Sequence, residues 1–371
     1  MFKRLLHYTR LVCLFIPLFF INIAFGQTLK PVFDPNEYLE MLRITAVTIG
    51  VEWNLGLPAP KEYHQVYKSD ETELLNKWDL WLNKDNSIMV ISIRGTTKDL
   101  ASWLENFYAA MIPATGSLKL SESNTFNYKF SDDPKALVHV GWTVGLGAMM
   151  PSIMTQIKKY YAQGVKQIII MGHSQGAAIA FLLNSYLRYH IKDNQLPNDL
   201  TIKTYCSAAP KPGNLYYAYD FDYINREGWA YTVVNAADWV PEVPFSVQTT
   251  ADFNPLNPFR NAKKALSKQG FFVALYGKYL FNNLDRPTKK AQRRFKKYLG
   301  YGLYKQVKKH MPQYQQPNYA NSNNYMRAGI PIVLEPDADY YKEFPDSSSN
   351  IFEHHLLKPY YTLVKKIYLR Q

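Results

Sequence analysis

The chain predicts an α/β fold with a mainly parallel central sheet flanked by helices and a basic helical insertion late in the sequence. Three observations carry this. Ile168 to Met171 is a continuous apolar run of strand length, as in a strand buried on both faces, and it passes through Gly172-His173-Ser174-Gln175-Gly176 into AAIAFLLNSYL, apolar at helical spacing. Further strand-like runs alternate with helical stretches, the order of a parallel sheet. Between Arg260 and His310 stand fifteen Lys and Arg and a single acid, Asp285.

The N-terminus has its own logic. Lys3, Arg4 and Arg10 precede an apolar stretch from Leu11 to Ile23, and Ala24-Phe25-Gly26 is a small-x-small cleavage site. Residues 1–26 are therefore expected to be a signal peptide cut before Gln27, with an uncleaved anchor as the alternative. Export to the periplasm or the cell exterior follows. Of the two cysteines, Cys13 falls in that segment and leaves Cys206 without an internal disulfide partner, so the core must supply the stability. Residues 27–371, 47% hydrophobic over the whole sequence, suffice for one large core. The formal net charge of +13 traces mostly to the one basic segment, so nothing in composition calls for nucleic acid as a partner.

Asn36 to Val51 reads as a helix and LGLPAP as a loop. Trp78–Leu82 and Ile88–Ile93 read as a hairpin around a polar turn, the second strand ending in Arg94-Gly95-Thr96-Thr97. DLASWLENF is helical. Phe126–Phe130 and Ala136–Trp142 are expected strands, and Thr143 to Gln163 a helix closed near Gly164. After the central strand and helix, Thr201–Ala208 and Trp229–Asn235 complete the series, the latter stopping at Ala236-Ala237-Asp238. Thr96, Ser174 and Asp238 thus sit just past the carboxyl ends of strands, where such sheets collect functional residues.

A Gly-x-Ser-x-Gly turn between strand and helix is a nucleophile elbow. The strained turn exposes the serine hydroxyl, and the helix N-terminus presents N–H groups and a positive dipole end to a developing oxyanion. Beyond the elbow, Ile93-Arg94-Gly95-Thr96, Val138-His139-Val140-Gly141-Trp142, Pro210-Lys211-Pro212-Gly213-Asn214 and Val234-Asn235-Ala236-Ala237-Asp238-Trp239-Val240-Pro241 occur in order. With the elbow, this pattern resembles the class 3, fungal-type triacylglycerol lipases, an α/β-hydrolase group, over about residues 75–245 and a short C-terminal motif.

The resemblance implies Ser174 as nucleophile and Asp238 as the acid that orients a histidine. Asp220 and Asp222 are less suited, being placed away from a strand end. The histidine must follow Asp238, which leaves His310, His354 and His355. FEHHLLKPYY resembles the family's final His-x-Leu/Met-x-x-Tyr with His355, Leu357 and Tyr360, so His355 is the first choice and His354 the alternative base. His173 is expected to pack inside the elbow. For the oxyanion, the resemblance implies the backbone N–H of Gln175 and the N–H and hydroxyl of Thr96. The chain departs from the pattern at Gln175, where the family commonly has Leu, at Lys211 in place of Arg, and in the long interval from Asp238 to His355.

That interval holds the insertion, 255–320. Its basic residues alternate with Phe, Tyr and Leu, which predicts two or more amphipathic helices broken near Asp285 to Pro287 and forming a cap or lid. Basic faces with aromatic borders suit an anionic membrane surface, so peripheral contact through 260–310 is expected, against a merely solvated cap. The expected activity is hydrolysis of lipid or other acyl esters, without metal or cofactor. The open alternatives are an esterase, phospholipase or thioesterase with another substrate, and a non-catalytic lipid-binding protein on the same fold.

Overall fold

The computed structural model describes residues 28–50, 56–347 and 349–369, so the expected signal peptide lies outside the described residues. Helix α1 (Pro35–Ile49) opens on an Asp34 cap that accepts from the Asn36 and Glu37 N–H groups. Strands β1 (Tyr63–Lys68), β2 (Trp78–Asn83) and β3 (Ile88–Ile93) form an antiparallel meander. After α2 (Leu100–Phe107) come the short strands β4 (Met111–Pro113), β5 (Thr115–Lys119), β6 (Thr125–Lys129) and β7 (Leu137–His139).

Here the structure corrects the expected strand over Ala136–Trp142. Only Leu137–His139 is extended, and helix α3 (Val140–Tyr161) begins where His139 caps it by accepting from the Trp142 N–H at 3.3 Å. The β-branched run is overruled by that cap and by Gly141, where a Cβ would lie 2.1 Å from the Glu105 carbonyl oxygen. Pro151 sits inside α3, and the Gly147 carbonyl it leaves without a donor receives Asn124 Nδ2 at 3.4 Å.

The remaining sheet strands are β8 (Gln167–His173), β9 (Thr201–Ser207), β11 (Ala230–Asn235) and β13 (Ile330–Leu334). Between them run α4 (Gln175–Lys192), β10 (Gly213–Asn214) and α5 (Leu215–Ile224). The seven-stranded sheet has the order β1-β2-β3-β8-β9-β11-β13 and is parallel from β3 onward. Its side chains alternate between two cores. Met89, Ile91, Ile168 and Ile170 pack toward α3 and α4, while Val90, Ile169 and Met171 pack toward α1 and a C-terminal helix. Burial on both faces explains why the strands read as continuous apolar runs. The α/β-hydrolase expectation holds.

The insertion comprises α6 (Ala262–Leu266), α7 (Phe271–Lys296), a π-helical turn (Lys297–Gly302) and α8 (Leu303–His310). The expected break near Asp285–Pro287 is absent: α7 runs through Pro287 without interruption. Pro287 costs the Asn283 carbonyl its helical donor, but Asn283 is exposed to water, and Lys289 and Thr250 bind the Asp285 carboxylate one turn away. Strand β12 (Tyr325–Met326), α9 (Ala338–Glu343) and α10 (Leu357–Tyr368) complete the chain.

Candidate active site

Strand β8 enters the elbow with Ser174 at φ 60° and ψ −129°, a region that non-glycine residues occupy only under constraint. The constraint is steric. A Cβ on Gly172 would stand 2.3 Å from the Gly176 carbonyl group, and one on Gly176 would stand 2.3 Å from the Ile93 carbonyl oxygen. Only glycines let strand, turn and helix approach so closely. The Ser174 N–H donates to the Ser207 carbonyl at 3.0 Å, which ties the turn to β9. Helix α4 then starts at Gln175, so its first N–H groups lie beside the serine without intrahelical acceptors.

Asp238 follows β11 by three residues and is almost wholly buried. Its Oδ1 accepts from the Val240 N–H at 2.9 Å, and its Oδ2 accepts from His355 Nδ1 at 2.8 Å and from the Tyr360 hydroxyl at 2.7 Å. Burial raises the Asp238 pKa, but the charge and hydrogen bond of His355 and the bonds from Val240 and Tyr360 outweigh it and hold it below the ordinary value. A carboxylate accepting from Nδ1 fixes the imidazole tautomer, leaving Nε2 as the acceptor.

His355 closes a single 3-10 turn, Glu353–His355, and the elbow itself helps to hold it there. The Tyr38 hydroxyl bonds the Ser207 hydroxyl at 2.6 Å, Ser207 bonds His173 Nδ1 at 3.0 Å, and His173 Nε2 donates to the His355 carbonyl at 2.7 Å. Burial, followed by the nearby His355, depresses the His173 pKa to about 3, so it stays neutral. The other acids and histidines are engaged elsewhere. His354 meets the Tyr340 hydroxyl at 2.8 Å and Asp346 at 3.0 Å, and His310 is exposed at the end of α8. Asp220 accepts from Tyr189, and Asp222 from the Gly329 N–H.

Thr96 reaches the elbow because Gly95 lies against it, where a Cβ would be 2.9 Å from the His173 carbonyl oxygen. The Thr96 hydroxyl donates to Gln175 Oε1 at 2.8 Å and accepts from Asn106 Nδ2 at 2.8 Å. This corrects the expectation of a free hydroxyl donor and leaves the backbone N–H. Ser102 also donates to Gln175 Oε1, at 3.3 Å, while Trp142 Nε1 donates to Asn106 Oδ1 at 2.9 Å. Beneath them the fully buried Glu105 is pushed up to about 8 by burial, against the pull of Asn76 and Gln175. Sequence reasoning missed Ser102, Glu105 and Asn106. The polar Gln175 was the signal available, because a buried amide at the first turn of α4 requires partners.

Ser174, His355, Thr96 and Gln175 border one cavity of about 340 Å³. Its other walls are largely apolar: Trp103 and Phe107 from α2, Trp142 from α3, Trp239, Phe245 and Phe352 from loops, and Phe295 and Leu299 from the insertion. An activatable hydroxyl, an oriented imidazole and amide donors at the edge of an apolar chamber suit attack on the carbonyl of an apolar ester.

The sequence resemblance is borne out by the family model for lipase (class 3). Residues 90–248 match the class 3 lipase family. The matched stretch holds Thr96, Ser174, Gln175 and Asp238, with His355 beyond it. The "Secreted mono- and diacylglycerol lipase MDL2" of Malassezia globosa is 28% identical over 107 residues, 28% of this chain and 32% of that protein. The chain thus spans about a third of the length of the curated relative it matches. Similar solved structures include a mutant form of MDLA from Penicillium cyclopium (21% identity, 57% of this chain, 74% of that one, TM-score 0.41). Another is Lip2 lipase from Yarrowia lipolytica (16% identity, 57% and 73%, TM-score 0.42).

Proposed function

We propose that this protein is an exported serine ester hydrolase of lipase type. The observation that carries the proposal is the buried Asp238–His355 hydrogen bond beside an elbow serine in one apolar cavity. Ser174 attacks the acyl carbonyl as His355 Nε2 takes its proton, and Asp238 stabilises the imidazolium. The backbone N–H groups of Thr96 and Gln175 receive the oxyanion. His355 then protonates the leaving alcohol, giving an acyl-enzyme at Ser174. Water, deprotonated by His355, releases the carboxylic acid and restores the serine.

The apolar walls favour lipid acyl chains over polar acyl groups, and the similarity to a mono- and diacylglycerol lipase makes acylglycerols the first esters to try. The relative's secreted character accords with residues 1–26 acting as an export signal. Residues 255–320 serve as a cap on a single hydrolase unit, since Phe295 and Leu299 wall the cavity, and 260–310 offers a peripheral contact for an anionic lipid surface.

A fluorophosphonate probe and a panel of p-nitrophenyl esters, acylglycerols and phospholipids test the proposal. Labelling and hydrolysis by the wild type, both lost in Ser174→Ala, are expected. A folded wild type that takes no label and cleaves no ester would overturn it in favour of a lipid-binding role.

A further inference from the structure

Helix α7 is 26 residues long, about 39 Å at the helical rise, yet only Asp285 and Gln292 along it are buried. Its first half, FFVALYGKYLFNNL, carries one charged residue, Lys278, and is apolar on most sides. A helix of that composition ordinarily lies inside a core. Here Phe272 is 82% exposed, Tyr276 64% and Tyr279 61%. Its second half, from Arg286 through Lys297 at the π-turn, holds seven basic residues and no acid.

The two halves share one side of the helix. Phe272, Tyr276, Tyr279, Arg286, Lys290, Arg293, Arg294 and Lys297 follow spacings of three, four or seven, apart from the adjacent arginine pair. This outward stripe begins aromatic and ends cationic. Asp285, Gln292 and Phe295 fall on the opposite side, turned toward the body of the protein. A second copy of the chain would set like charges against each other, whereas an anionic lipid surface complements them and accepts the rings at its interface. No helix among the described residues is long and apolar enough to cross a membrane, so α7 would lie on one.

We propose that α7 docks this protein along the surface of an anionic phospholipid bilayer. The aromatic half enters the interface, and the cationic half binds the headgroup phosphates. Phe295 fixes the consequence, which rests on the hydrolase reading: it lines the cavity together with the exposed Phe107 and Phe245. Because Phe295 stands on the inward side of α7, docking leaves the helix between the bilayer and this cavity wall and holds the cavity close to the lipid surface.

The test uses the full mature chain carrying Ser174→Ala, with vesicles of phosphatidylcholine alone or mixed with phosphatidylglycerol. Binding at least about tenfold tighter to the anionic vesicles is expected, weakening with added salt. Lys290→Glu with Arg293→Glu and Arg294→Glu should erase the preference. Phe272→Ser with Tyr276→Ser and Tyr279→Ser should remove the binding that survives salt. In the Ser174 background both variants should cleave a short soluble p-nitrophenyl ester as the wild type does, which separates docking from folding and chemistry. Equal binding to both vesicle types, or binding indifferent to both variants, would overturn the proposal. So would a lipid-free dimer dissolved by the aromatic substitutions, since the second copy would then be the occupant. Docking without any ester hydrolysis would leave the surface assignment standing and remove the hydrolase reading alone.

Discussion

Around Ser174 the side chains of His173, Gln175, Asp238 and His355 are each held by named partners, whereas along α7 aromatic rings and cations stand in solvent. The first region is specified from within, by glycines that admit no Cβ and by hydrogen bonds that bind strand ends to the C-terminal turn. The second is a helix whose inward side meets the protein through few residues, so its outward composition reflects what it meets outside. Substitutions should accordingly change turnover in the first region and surface binding in the second.

The sharpest way to break that division is at the serine. Ser174→Ala should lower kcat by about 10⁴-fold or more while leaving the melting temperature and anionic-vesicle binding unchanged. His355→Ala should match it in an ester assay, whereas His354→Ala, which loses only Tyr340 and Asp346, should stay within a few-fold of wild type. If the His354 variant were the inactive one, the base would be misassigned.

Asp238→Asn probes the same region one atom further out. The amide can donate to His355 Nδ1 and so favour the other tautomer, placing a proton where the serine's must go. A loss of about 10⁴-fold in kcat is expected, with KM little changed. Tyr360→Phe is milder. It removes one of the bonds that lower the Asp238 pKa, so the acid limb of the activity profile should move to higher pH, with kcat down about tenfold at neutrality.

The sequence was legible where one local cause decided the structure. The elbow followed from two glycines around Ser174, and the strands around it from apolar runs buried on both faces. It misled where a distant partner decided. Pro287 lies inside α7 where a break was expected, because solvent and the Asp285 contacts from Lys289 and Thr250 accommodate it, whereas the helix read through Pro151 holds, relieved by Asn124. The sequence ranked His355 ahead of His354 only through its C-terminal motif, because the partners that set the two apart, Asp238 for His355 and Tyr340 and Asp346 for His354, all lie more than five residues away. The strand β13, which pairs with β11 and lies after the insertion, could not be told from a loop by its short sequence alone.

The smallest expected effect on turnover concerns Glu105, and it shows how far the internal specification reaches. Its folded pKa of about 8 lies above the ordinary 4.5, so the native state holds a proton that the unfolded chain releases. Stability from this group is fully present below about pH 4.5 and declines as pH rises toward 8. Glu105→Gln keeps an oxygen for Asn76 and cannot ionise. The variant's unfolding free energy, measured against wild type by denaturant titration, should therefore change little at pH 4.5 and gain steadily up to pH 8, by an amount on the order of a few kcal/mol at most. Turnover at neutral pH should stay within a few-fold, because Gln175 still holds Thr96 through Oε1. A stability difference flat across that range would show that Glu105 is ionised in the fold, and that Gln175 is held by a charge.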